Sequence, residues 1–244
     1  MELKICHLYP DLLSLNGDRG NILALRRRLE ARGISAQVFE LPAGKTADLS
    51  TFDLFFIGGG QDFQLEALIS DLRTGKDAEI RAAAEDGKVF LAVCGGYIAM
   101  CRSYTTRDGV EHEMIGVLDA VTVDKPDRLT GNSLFRCSDE CGGSLVVGFE
   151  HHSGHTELGS GCAPLGTVQY GHGNNGVDGT VGARYKNVFA TYTNGPILPK
   201  NPELADFILR TALERKYGRA ELPPIDDSFE TAAHDYMVER LGKK

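Results

Sequence analysis

Tryptophan is missing from the 244 residues, and cysteine, proline and positive charge are all sparse. Six cysteines over this length are too few for a disulfide scaffold, and reduced thiols fit the cytosol. Lysine and arginine number 26 against 34 aspartates and glutamates, a formal net charge of −8, which argues against a nucleic-acid partner. The one basic cluster, Arg26-Arg27-Arg28, falls on a helical pattern and reads as a solvated helix face. No apolar stretch approaches the roughly 20 residues that a membrane span requires. The first residues, Met1 to Cys6, run into a strand without the apolar core of a signal peptide, so a cytoplasmic location is expected. Neither a Ser/Pro/Gly-rich linker nor an internal repeat divides the chain. One domain over residues 1–215 with a helical extension over 216–244 is expected. Cys137 and Cys141 are spaced like half of a zinc site, but no second pair follows and no metal is expected.

What the chain does have is Cys94, set between the apolar run Val89-Phe90-Leu91-Ala92-Val93 and the sequence Gly95-Gly96-Tyr97. A buried strand that turns through two glycines into a helix lifts the intervening side chain out of the fold, as in a nucleophile elbow. Backbone N–H groups at such a helix start favour a thiolate and can hold an oxyanion, which suits acyl transfer through a thioester. The plainer reading makes Cys94 a small core residue, as most free cysteines are.

Periodicity predicts a strand over 3–8, a helix over 21–32, and strands over 36–41 and 52–57, the last broken by Gly58-Gly59-Gly60. Helical spacing runs over 61–85 with an interruption near Gly75. Alternating strands and helices with short glycine turns indicate a mostly parallel central sheet with helices on both faces, an α/β fold. Ligands bind such sheets beyond the carboxyl ends of the strands, where the 58–60 turn and Cys94 both fall. Shorter strands are expected over 115–123, 144–149, 181–185 and 188–192, and helices over 202–217, with Asn201 as N-cap, and over 228–241. The loop Gly171-His172-Gly173-Asn174-Asn175-Gly176 reads as a turn cluster, since its spacing fits neither a P-loop nor a dinucleotide fingerprint.

Three motifs together, 92–97 (Ala-Val-Cys-Gly-Gly-Tyr), 57–62 (Ile-Gly-Gly-Gly-Gln-Asp) and 191–196 (Thr-Tyr-Thr-Asn-Gly-Pro), resemble the class I glutamine amidotransferases of the cobyric acid synthase-like branch. Stretches 7–11, 16–21, 128–132, 148–154 and 195–203 are similar to the GatD family, the glutaminase subunits of lipid II isoglutaminyl synthase. The resemblance implies a flavodoxin-like amidotransferase domain. In it Cys94 attacks the side-chain amide of glutamine, and backbone N–H groups of Gly58, Gly59, Gly60 and Gly95 hold the oxyanion. It also implies that Arg128 grips the substrate carboxylate, a task suited to a guanidinium. Read without the resemblance, Arg128 is a surface residue after Pro126 and the glycines are turn formers. The implied partner is the Mur ligase-like subunit MurT. ATP and Mg would bind that partner, so no cofactor is expected in this chain.

Where this family carries its catalytic histidine, the sequence reads Asn194. An asparagine amide can neither take the thiol proton nor protonate ammonia, so impaired glutaminase activity is expected. An engineered substitution, a natural scaffolding homologue, or rescue by His151, His152, His155 or His172, all expected on loops, would each account for it. A stand-alone cysteine hydrolase and a non-catalytic glutamine-binding subunit are the rival readings.

Overall fold

The computed structural model describes residues 1–15, 17–60 and 64–243. Asn16 and the Gln61-Asp62 part of the glycine-turn motif lie outside the described residues, as does the beginning of the helical stretch expected from residue 61.

A six-stranded sheet forms the centre, built from β1 (Glu2–Leu8), β2 (Ser35–Leu41), β3 (Leu54–Ile57), β4 (Val89–Val93), β11 (Ala183–Tyr185) and β12 (Val188–Thr191). Its order is β11-β12-β4-β3-β1-β2, parallel except for the β11 edge. Both β3 and β4 are buried at every position, which explains their continuous apolar sequences. Successive side chains point to opposite faces. Cys6, Leu8, Phe55, Ile57, Phe90 and Ala92 join one core layer, whereas Leu3, Ile5, Leu54, Phe56, Val89, Leu91 and Val93 join the other.

Helices cover both faces. The first layer receives α2 (Leu65–Asp71), α3 (Asp77–Glu85) and α4 (Gly95–Met100) through Leu68, Ile80, Ala84, Tyr97 and Met100. Between α2 and α3 the chain makes a wider π-type turn over 72–76, where Gly75 takes φ 107°, the interruption expected there. The second layer receives α1 (Arg19–Glu30) and α5 (Pro202–Tyr217) through Leu25, Leu29, Leu204, Ile208 and Leu209.

Residues 103–181 build a second sheet that the sequence pattern understates. It contains β5 (Ser103–Thr105), β6 (Glu111–Glu113), β7 (Ala120–Cys137), β8 (Leu145–Leu158), β9 (Gly166–Tyr170) and β10 (Thr180–Val181). β7 and β8 form one long antiparallel ladder whose register shifts between Asp124 and Leu129. The polar run Asp124-Lys125-Pro126-Asp127-Arg128 sits at that irregularity, which is how a proline is accommodated there. His151, His152 and His155 therefore lie in β8, not on loops; His172 does lie in a loop.

Two further expectations are corrected. Asn201 does stand at the N-cap of α5, its carbonyl accepting the Ala205 N–H at 3.0 Å, but its side chain makes no cap bond: Oδ1 accepts the Val147 N–H at 2.8 Å, and Nδ2 donates to the Val147 and Ile197 carbonyls. Arg28 is no solvated residue. It is buried, donating to Asp206 at 2.7 Å and to both Asp227 oxygens at 2.6 and 2.7 Å. That pairing ties the segment after α5 to α1 before the last helix, α6 (Ser228–Gly242), rests on the second sheet through Met237, Val238 and Leu241. Among the described residues no helix is long and apolar enough to cross a membrane.

Candidate active site

Cys94 follows β4 immediately and holds φ 54° and ψ −109°, a conformation that L-residues rarely adopt. Its N–H donates to the Thr191 carbonyl at 2.9 Å, and that of Gly96 donates to Gly58 at 2.8 Å, so the turn is fastened to both neighbouring strand ends. A Cβ on Gly96 would collide with the Ile57 carbonyl, which is why the second glycine of the pair is obligatory. The other elbow features follow from the same geometry: the thiol is partly exposed, and α4 begins at the next residue. By contrast, burial pushes the Cys6, Cys101 and Cys137 thiols up to about 12, which makes them inert packing groups.

The 58–60 turn meets the elbow. A Cβ on Gly59 would stand 3.6 Å from Cys94 Sγ, and one on Gly95 would stand 2.9 Å from the Gly60 amide nitrogen. Gly59's own N–H donates to the buried Asp18 carboxylate at 2.7 Å. That bond engages the Gly59 N–H, while the amide nitrogen of Gly60 lies beside Gly95. Asp18, not among the residues singled out from the sequence, is joined to this turn across 41 residues of chain. Here it makes no cap bond. The turn around it is closed by Pro196, which lies 3.3 Å from a Cβ on Gly17 and 2.6 Å from one on Gly20.

Asn194 comes three residues after β12, the strand paired with β4, and is 2% exposed. Its backbone bridges Phe149 in β8, and its Nδ2 has no hydrogen-bond partner among the described residues. Arg128 stands on the exposed side of β7, where Nη1 meets His151 Nε2 at 3.2 Å. The structure thus brings the Gly58, Gly59 and Gly60 turn against the Cys94-Gly95 elbow, sets Asn194 at the adjoining strand end, and carries Arg128 on the second sheet. Of the alternative histidines, His152 stacks on Tyr192 and His155 lies 3.7 Å from Asp127. The loop 171–176 closes on a buried side chain of β8. Glu150 accepts the N–H groups of His172 and Gly173 at 2.6 and 3.1 Å, and Tyr97 donates to Asn174 at 3.2 Å.

This geometry suits a cysteine nucleophile beside backbone oxyanion donors. Comparison with known proteins gives the family. Residues 4–202 match the model of the CobB/CobQ-like glutamine amidotransferase domain. The chain is 40% identical over 243 residues to the lipid II isoglutaminyl synthase (glutamine-hydrolyzing) subunit GatD of Staphylococcus aureus (strain N315), spanning 100% of this chain and 98% of that one. To the subunit of the same name from Streptococcus pneumoniae (strain ATCC BAA-255 / R6) it is 37% identical over 228 residues, spanning 93% and 86%. In fold it resembles a solved glutamine amidotransferase (TM-score 0.59, 18% identity, 85% and 98% of the two chains) and PurLQS from Thermotoga maritima (TM-score 0.60, 16% identity, 88% and 99%). The chain therefore belongs to the CobB/CobQ-like glutamine amidotransferases and, within them, to the GatD family of lipid II isoglutaminyl synthase subunits.

Proposed function

We propose that this chain is the ammonia-supplying half of a two-subunit amidating enzyme, with residues 1–215 as the amidotransferase domain and 216–244 as an extension. Cys94 attacks the side-chain amide of glutamine to give a glutamyl thioester and ammonia, while Gly60 and Gly95 amides hold the oxyanion. Arg128 receives the substrate carboxylate. Ammonia then passes to a Mur ligase-like partner of the MurT type, which uses ATP and Mg to amidate D-glutamate in the lipid II stem peptide. On this reading the chain carries no cofactor of its own and works in the cytoplasm. The observation that carries the proposal is the elbow itself, with Cys94 at φ 54° against the Gly59 turn.

Asn194 favours a second reading, in which the chain binds glutamine and scaffolds its partner without turning substrate over. The test is covalent capture by the glutamine mimic 6-diazo-5-oxo-norleucine, followed by peptide mass mapping. Labelling confined to Cys94 supports the nucleophile. Labelling elsewhere or none, in the presence of the partner subunit, removes the catalytic reading.

A further inference from the structure

We propose that Asp18 is the acid-base partner of Cys94 in this chain, taking the part that position 194, as asparagine, cannot play. The proposal rests on the glutaminase reading above. The sulfur of Cys94 and Oδ2 of Asp18 each stand 3.6 Å from one and the same point, the place where a Cβ on Gly59 would sit. With no side chain at 59 between them, the two atoms are at most 7.2 Å apart, and the proposed transfer runs through a single water. Asp18 is 0% exposed; Oδ2 accepts the Gly59 N–H, and Oδ1 has no partner among the described residues. Helix capping does not explain its orientation, since it makes no cap bond. A buried carboxyl with an oxygen to spare is a costly arrangement, and proton transfer is a use for it.

Its surroundings suit that use. Arg19, the next residue, turns outward to Glu40 at 3.8 Å; Cys94 faces Asp18 across Gly59, and Asn194 is uncharged. Burial pushes the Asp18 carboxyl up to about 7, with the Gly59 N–H pulling weakly the other way, and no charged side chain among the described residues contributes. A carboxyl and a thiol that face one site share one proton more readily than both ionise. His152 also has a buried Nε2 lacking a partner among the described residues, but burial holds it down at about 4, which makes it a weak base for a thiol, and its ring lies flat on Tyr192.

The proton follows a closed path. The Asp18 carboxylate takes the proton of the Cys94 thiol as sulfur bonds to the amide carbon of glutamine. The protonated carboxyl then gives that proton to the amide nitrogen, the carbon–nitrogen bond breaks and ammonia leaves. In the second half Asp18 takes a proton from water, the water oxygen bonds to the thioester carbon, the carbon–sulfur bond breaks and the proton returns to sulfur. Glutamine and water become glutamate and ammonia.

The test is glutamine hydrolysis by the chain with its partner subunit from pH 5.5 to 9, for the wild type, Asp18→Asn, Asn194→His and the double variant. Asparagine at 18 keeps the shape and an acceptor for Gly59 but transfers no proton. Asp18→Asn should lose about 10²- to 10⁴-fold in kcat with little change in KM. The wild-type kcat/KM should show a limb near pH 7 that this variant lacks. Histidine at 194 should rescue Asp18→Asn, which also shows that the variant folds. A flat wild-type profile between pH 6 and 8, or an Asp18→Asn enzyme with unchanged kcat, overturns the proposal. So does an inactive wild type beside an Asn194→His variant that is equally active with and without Asp18, although the glutaminase reading then stands. If Asn194→His too releases no ammonia and takes no label at Cys94, that reading fails and this proposal with it.

Discussion

The imidazole of His152 lies flat against the ring of Tyr192, with centroids 3.7 Å apart and planes within 3°. Burial holds His152 down at about 4, and His7 in β1 likewise. In the unfolded chain both titrate near 6.5, so between pH 6.5 and 4 the unfolded state binds more protons and stability falls as pH drops. Asp18 works in the opposite direction, because its raised carboxyl makes the folded state bind more protons between about 4 and 7. His152→Phe, which keeps an aromatic face for Tyr192, should flatten the fall of melting temperature between pH 7 and 4.5, and Asp18→Asn should steepen it. Superimposable melting curves for wild type and variants across this range would refute the assignment.

The glycines of the site should respond in grades. A Cβ on Gly58 or Gly96 meets a carbonyl oxygen, that of Leu13 or Ile57, whereas on Gly59 it meets Cys94 Cβ at 3.2 Å and Sγ at 3.6 Å. Gly58→Ala and Gly96→Ala should therefore cost about 1–3 kcal/mol of stability or more. Gly59→Ala should fold and melt within a few degrees of wild type, yet lose at least about tenfold in turnover as the thiol is crowded. Thermal melts and glutaminase rates on the three variants decide this, and equal losses of stability would contradict it.

Strain at Cys94 makes a prediction that runs against intuition. An L-residue at φ 54° and ψ −109° stores on the order of 1–3 kcal/mol, which glycine largely avoids. Both Cys94→Ala and Cys94→Gly should be inactive, but the glycine variant should be the more stable by about 1 kcal/mol. In a chain of this size that is roughly 2–4 °C in melting temperature, readable by calorimetry. An alanine variant as stable as the glycine one would show that the turn is unstrained.

Arg28, Asp206 and Asp227 hold the end of the chain. Asp227→Ala leaves a buried guanidinium with Asp206 as its one remaining carboxylate among the described residues, and a loss of about 1–3 kcal/mol is expected. The segment between α5 and α6 should loosen first. Trypsin should cut after the exposed Arg219 several-fold faster than in wild type; unchanged digestion would mean that α6 is held by its own contacts with the second sheet.

The central sheet and the elbow are legible in the sequence because their signals are local. β3 and β4 are unbroken apolar runs, and Gly95-Gly96 directly follows Cys94. The second sheet is not, because β7 carries polar residues and a proline at an irregularity of the ladder, and its stability comes from pairing with the distant β8. Position 18 is hidden for a similar reason. Its chemistry depends on Gly59 and Cys94, which lie 41 and 76 residues further along the chain. The basic triplet shows the limit from the other side: charge alone marks Arg28 as solvated, and only the return of the chain at Asp206 and Asp227 buries it.

Asn201 clasps the backbone of Val147 through donor and acceptor together, while Phe149, two residues on, exchanges backbone hydrogen bonds with Asn194. These fastenings make β8 a lever whose fulcrum is the start of α5. Any shift of the outer sheet therefore carries the carbonyl and amide of Asn194 with it, so the strand end beside Cys94 cannot move independently of β8.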